Sequence, residues 1–234
     1  MLEDEEAKAV QEIAKVTGKG LDLVGDATKG TIRIFAEVIE HLAAGLGGKA
    51  ALWRYKNLLV ISDKVDDIHR ARKLAGKPIP LTLEFALPIL EAASIEVDDE
   101  VQNLWAGLLA NATDPNKTFK IKKVFIETLR GMQALDAVIL QKLATYEDQQ
   151  EYSIVSGNLL NSDRLAEEVN AQLLDVQISL QSLAKLGCVI DSWSETIDGI
   201  DTGYSGFRVN NPKSNFRLSH LGSQLLHTTS SFSG

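Results

Sequence analysis

Two proline-centred breaks constrain this chain more than any other feature. Gly76-Lys77-Pro78-Ile79-Pro80 and Asp114-Pro115-Asn116 both fall where the charge balance changes. Proline removes a backbone donor and pushes the residue before it out of the helical region, so no helix crosses either break. Residues 1–76 are electrically balanced, with 12 basic and 12 acidic side chains. Residues 77–116 carry one basic and seven acidic groups, residues 117–133 five and one, and residues 134–234 six and twelve. We therefore divide the chain into segments 1–76, 77–133 and 134–234.

Within each segment the apolar residues recur at helical spacing. In the first, Ile32, Phe35, Ile39, Leu42 and Leu46 form one series. Leu52, Tyr55, Leu58, Ser62, Val65 and Ile68 form another after Gly47-Gly48, which predicts a glycine-interrupted helical hairpin whose second arm runs from about Lys49 to Leu74. In the second segment Pro88 falls in what reads as the first turn of a helix. Asp98 or Asp99 then caps a helix from Glu100 to about Ala112, with Val101, Leu104, Trp105, Leu108, Leu109 and Ala112 on its apolar face.

The last segment reads differently. Amphipathic stretches at 135–146, from Ser162, and at 174–186 lead to Gly187, a helix stop. Cys188-Val189-Ile190 and either Phe207-Arg208-Val209 or Phe216-Arg217-Leu218 have strand character, and a closing helix follows from about Ser219. Three helices, two strands around a loop and a final helix is the order of a winged helix. The expected fold is thus mainly α: an N-terminal helical hairpin and helical core, followed by a C-terminal winged-helix-like α+β domain.

The sequence also narrows the chemistry. Apolar residues make up 44% of the 234, enough for a packed core, which excludes a disordered or collagen-like chain. A single cysteine, Cys188, rules out an internal disulfide, and its apolar neighbours mark it as a small buried hydrophobe. Gly25-Asp26-Ala27-Thr28-Lys29-Gly30-Thr31 lacks the Lys-Ser/Thr pair that must follow the second glycine of a phosphate-binding loop. His41, His69, His220 and His227 are scattered outside any zinc-ligand spacing. Asp63, Asp66, Asp67 and His69 alternate with Lys64, Arg70, Arg72 and Lys73, as on a solvated, ion-paired face. No enzyme activity, metal or cofactor is expected. With an acidic N-terminus and no apolar run of about 20 residues, the expected location is the cytoplasm and no transmembrane segment is expected.

Lys117, Lys120, Lys122, Lys123 and Arg130 make the one basic cluster, interleaved with Phe119 and Phe125. It is a candidate phosphate-contacting surface, or else pairs with the acidic blocks on either side.

The central stretch carries a resemblance. Pro78-Ile79-Pro80, then residues 86–94 (ALPILEAAS) and 98–112 (DDEVQNLWAGLLANA), look like the signature of the abortive-infection alpha family of bacterial proteins. Leu52-Trp53-Arg54-Tyr55-Lys56-Asn57, Leu135-Asp136-Ala137 and the run from Ser179 to Gly187 are similar to further parts of that family. The resemblance implies a role in bacterial defence against phage and supplies no catalytic residue. Trp105, Leu108, Leu109 and Asn111 read as structural, with Asn111 placed to cap its helix.

Three readings of function follow: a sensor or effector working through contacts with a phage or host protein, a winged-helix nucleic-acid binder, and a membrane-active effector using the glycine-rich residues 18–51. Self-association through that glycine-rich start is a further expectation.

Overall fold

A computed structural model of the chain describes residues 48–74, 78–117, 121–150, 161–191, 196–197, 200–201 and 216–230. The N-terminal arm of the expected hairpin, the glycine-rich membrane candidate before residue 48, Lys120 and the 207–209 strand candidate lie outside the described residues. The described chain is mainly helical and divides into two compact units, one of residues up to Arg130 together with Thr228 onward, the other Gly131–His227.

The first unit is built on α1 (Gly48–Ala71), α2 (Leu83–Ala93), α3 (Asp99–Thr113) and α4 (Lys123–Arg130). The centre is α3, which packs on α1, α2 and α4. Every residue from Val101 to Asn111 except Asn103 is buried, and Trp105 is only 1% exposed. A helix apolar on all sides must be enclosed by other elements. From α1, Tyr55, Leu58, Ile61, Ser62, Val65 and His69 supply one buried stripe, and from α2 Ala86, Ile89, Leu90 and Ala93. Asn57 of α1 donates to the Ser94 carbonyl at 2.9 Å, so two separate pieces of the signature meet directly.

The ends of α3 follow from its sequence. Asp98 is extended at the N-cap, and Asp99 and Glu100 lie at the positive end of the helix. At the other end Asp114 is extended (φ −76°, ψ 114°), as the following Pro115 requires. The Ile79 amide, between the two prolines of the linker, donates to the Thr113 carbonyl at 2.8 Å.

Pro88 corrects the sequence reading. It is the sixth residue of α2, an interior position where it cannot donate to the Glu84 carbonyl four residues back. The helix persists because burial of Ala86, Ile89, Leu90, Ala92 and Ala93 outweighs one lost hydrogen bond.

Gly107 has a separate purpose. A Cβ there would lie 1.7 Å from the Thr229 carbonyl oxygen, so only glycine lets the C-terminal backbone lie against α3.

In the second unit α5 (Ala134–Gln150), α6 (Ser162–Glu168) and α7 (Leu173–Lys185) precede β1 (Val189–Asp191), β2 (Thr196–Ile197), β3 (Ile200–Asp201), β4 (Phe216–Leu218) and α8 (His220–Thr229), whose last two residues count with the first unit. β1 pairs antiparallel with β4, Val189 opposite Leu218, and β2 pairs with β3. Of the two strand candidates, Phe216–Leu218 is the one that pairs with β1. α7 packs on both α5 and α6, and its buried residues Val176, Leu180 and Leu183 meet a core that includes Ile139, Leu140 and Leu165.

Gly187 ends α7 in the left-handed region (φ +74°), with Cys188 N–H donating to the Leu183 carbonyl and Gly187 N–H to that of Ala184. Lys73 and Asn170, also at positive φ, end α1 and α6 with the same pair of bonds.

Replacing Trp105 with alanine should lower the unfolding free energy by about 3–5 kcal/mol, as expected for removing a fully buried large aromatic side chain. A fall in the urea midpoint of that order checks it; an unchanged midpoint would mean the site has collapsed or the tryptophan is not enclosed.

Candidate functional site

Among the described residues of the basic cluster, Lys117 turns inward, whereas Lys122, Lys123 and Arg130 are exposed. Lys117 is half-buried and its Nζ donates to Asn111 Oδ1 at 2.7 Å. Lys123 Nζ lies 3.2 Å from Glu84 Oε1, and Arg130 3.7 Å from Glu127 Oε2. Lys122 is exposed, its Nζ 5.9 Å from the Phe125 ring centroid. The Glu84 pairing is with the acidic block before the cluster, and these exposed pairs contribute little to stability.

Lys117 instead enters a buried polar cluster at the end of α3. Asn111 Nδ2 donates to the Thr228 carbonyl at 2.6 Å and to that of Ser230 at 3.3 Å, while its Oδ1 accepts from Lys117. Asn111 thus does not cap its own helix. It ties the C-terminal backbone to α3, one turn from where Gly107 allows that backbone to approach. Arg72 reaches the same segment, donating to the Ser230 carbonyl at 2.9 Å and lying 3.6 Å from Asp114. Burial lowers the pKa of both Arg72 and Lys117, each countered in part by Asp114.

His69 and Asp66 depart from the solvated face expected of them. Both are buried, whereas Asp67 pairs at the surface with Arg70. His69 Nε2 lies 3.1 Å from the Ala110 carbonyl, which can only accept, so Nε2 carries the proton. Thr113 Oγ1, 3.2 Å from the same nitrogen, donates its own hydrogen to the Leu109 carbonyl. Burial lowers the His69 pKa, the Ala110 bond opposing it in part. His69, Arg72, Asp114 and Lys117 form a cluster that sequence spacing could not assemble, because α1 and α3 are brought together only by packing. Its bonds are spent on backbone carbonyls and on one another, the arrangement of a clamp.

The second unit holds a buried carboxylate. Asp136, 1% exposed in the first turn of α5, accepts from the Gln133 N–H at 3.0 Å, from Ser179 Oγ at 2.5 Å and from Ser182 Oγ at 3.1 Å. The helix N-terminus and three donors compensate its desolvation. These bonds set the rotation of α7, whose two serines must face α5. Cys188, close by, has its thiol pushed up to about 12 by burial and by the Asp136 charge. It is therefore an inert thiol, as its apolar setting suggests.

With Ser179 and Ser182 turned inward, the outward face of α7 carries other residues. Leu174 is 64% exposed and Ile178 56%, with Leu173 beside them and Asp175, Gln181 and Lys185 around them. Of the α7 side chains that could read a nucleic acid, two serve Asp136, and the most prominent outward groups are aliphatic. The sequence carries this signal as an excess of apolar residues in 173–183, more than one buried stripe requires.

No group of histidine, cysteine and carboxylate residues that could hold a metal occurs among the described residues, and no described helix is long and apolar enough to cross a membrane.

Two predictions follow from these groups. His69 resists protonation in the folded state, so stability is complete above pH ~6.5 and falls as the unfolded state takes up the proton below it. Urea midpoints at pH 7.5 and 5.5 should differ less for His69→Gln than for the native chain; equal slopes would contradict the burial of a neutral imidazole. Cys188 should react with iodoacetamide at least about a hundredfold more slowly in the native protein than in urea, because the thiolate is both scarce and covered. Comparable rates would show an accessible thiol.

Comparison with known proteins bears on the whole arrangement. The family model described as Abortive infection alpha matches residues 56–229, a span that includes the α3 signature, the Asn111–Thr228 bond and the Asp136–serine contact. No curated protein and no solved structure matches the chain. This chain belongs to the abortive infection alpha family.

Proposed function

We propose that the protein serves abortive infection as a cytoplasmic interaction protein, sensing phage or relaying that signal through protein contacts with no reaction of its own. One observation carries this reading: α7, the helix that a winged helix would present to DNA, exposes Leu174 and Ile178 on its outer face. Major-groove readout needs Arg, Lys, Asn or Gln reaching base edges, and phosphate attraction supplies most of the affinity. Residues 134–234 carry six basic and twelve acidic side chains, a balance that repels a polyanion. Exposed aliphatic side chains beside polar groups are instead the composition of a protein contact surface. The polar clusters elsewhere are engaged in holding the fold, which supports a role without catalysis.

Cells expressing Ile178→Asp at native abundance should lose protection, with plaque counts rising to those of cells lacking the protein. Full protection by that variant would remove α7 from the mechanism. A gel shift of DNA or RNA by the purified native protein at low salt would replace this reading with nucleic-acid binding.

A further inference from the structure

The outer face of α7 is self-complementary. Leu174, Ile178, Gln181 and Lys185 follow one another at intervals of four, three and four residues. At ~100° per residue they fall within an arc of roughly 60°, opposite the buried Val176, Ser179, Leu180 and Leu183. This is the spacing of a helix–helix contact stripe. Its midpoint lies between Ser179 and Leu180, and reversing the helix about that point exchanges Leu174 with Lys185 and Ile178 with Gln181.

We propose that a second copy of this chain seats on this face, the two α7 helices antiparallel about a two-fold axis. The proposal rests on the reading of α7's outer face as a contact surface and names its occupant. In that arrangement Leu174 lies along the aliphatic stem of the partner's Lys185, Ile178 sits beside the partner's Ile178, and Asp175 flanks the partner's Lys185. The Leu174–Lys185 and Asp175–Lys185 pairs each occur twice by symmetry, and the Ile178 pair lies across the axis. A parallel pairing would set Lys185 on the partner's Lys185, so charge selects the antiparallel direction. Asp175, Gln181 and Lys185 supply the polar border around the two aliphatic side chains. The surface is independent of the glycine-rich start, from which the sequence alone suggested self-association.

Sedimentation velocity of the full chain across micromolar concentrations tests this. The native protein should show a concentration-dependent dimer, and Ile178→Asp, at a position already more than half exposed, should raise its dissociation constant at least about tenfold. Asp175→Lys and Lys185→Asp should each weaken the dimer, and the double variant should recover it, a compensation that simple loss of folding cannot produce. A native chain monomeric throughout would overturn the proposal, as would a dimer unmoved by Ile178→Asp or charge reversals that fail to compensate. Phage challenge separates the two claims. A monomeric native chain whose Ile178→Asp variant loses protection overturns the dimer and keeps the contact reading. A dimer abolished by Ile178→Asp with protection intact keeps the dimer and removes the contact from defence.

Discussion

A helix with apolar side chains on every side can exist in water only if other elements cover all of it, and α3 is such a helix. Its enclosure explains what surrounds it in the first unit. α1 and α2 cover two flanks with aliphatic stripes, and the Asn57–Ser94 bond fixes α1 to the end of α2. The C-terminal backbone lies against Gly107 and is held by Asn111 and Arg72. A glycine and an asparagine inside a hydrophobic string thus have distinct tasks: one removes a side chain to admit a backbone, the other supplies the amide that satisfies it. Neither substitution would be conservative, because an added Cβ has no space and a lost amide leaves buried carbonyls without a donor.

Buried polar groups set orientation in both units. In the first, His69, Thr113, Asn111 and Lys117 fix the end of α3 through bonds to carbonyls. In the second, Asp136 holds α7 through two serine hydroxyls. A buried carboxylate is costly unless its oxygens are filled, so α7 has one favourable rotation about its axis. With the serines inward, Leu174 and Ile178 face outward, so one side chain on α5 helps decide which residues of α7 meet water.

Sequence pattern made much of this legible. The two proline breaks, the acidic start of α3, its Trp-Ala-Gly-Leu-Leu-Ala-Asn string, the glycine stop after α7, the Phe216–Leu218 strand candidate and the closing helix are all local signals, whereas the β2–β3 pair was not foreseen. Local signals failed where packing outweighed propensity. Pro88 lies inside α2 because five buried neighbours keep that helix whole. His69 and Asp66 are buried within a stretch of charges, since a helix facing a hydrophobic partner buries whatever falls on that side. Lys73 and Asn170 end helices in a conformation normally given to glycine, with nothing in their neighbours to announce it.

The sequence by itself determined that the chain is mainly helical, that α3 stops at Asp114-Pro115 and α7 at Gly187, and that Trp105, Leu108 and Leu109 share one apolar face of α3, because periodicity and breakers act over a few residues. Only the tertiary structure decided that Lys117 turns inward to Asn111, that Arg72 and Asp114 meet, and that Asp136 collects serines more than 40 residues away. It also decided which face of α7 meets water. Those outcomes depend on how rotated helices fit around shared cores, and a one-dimensional pattern records the composition of each face but not the direction in which it is turned.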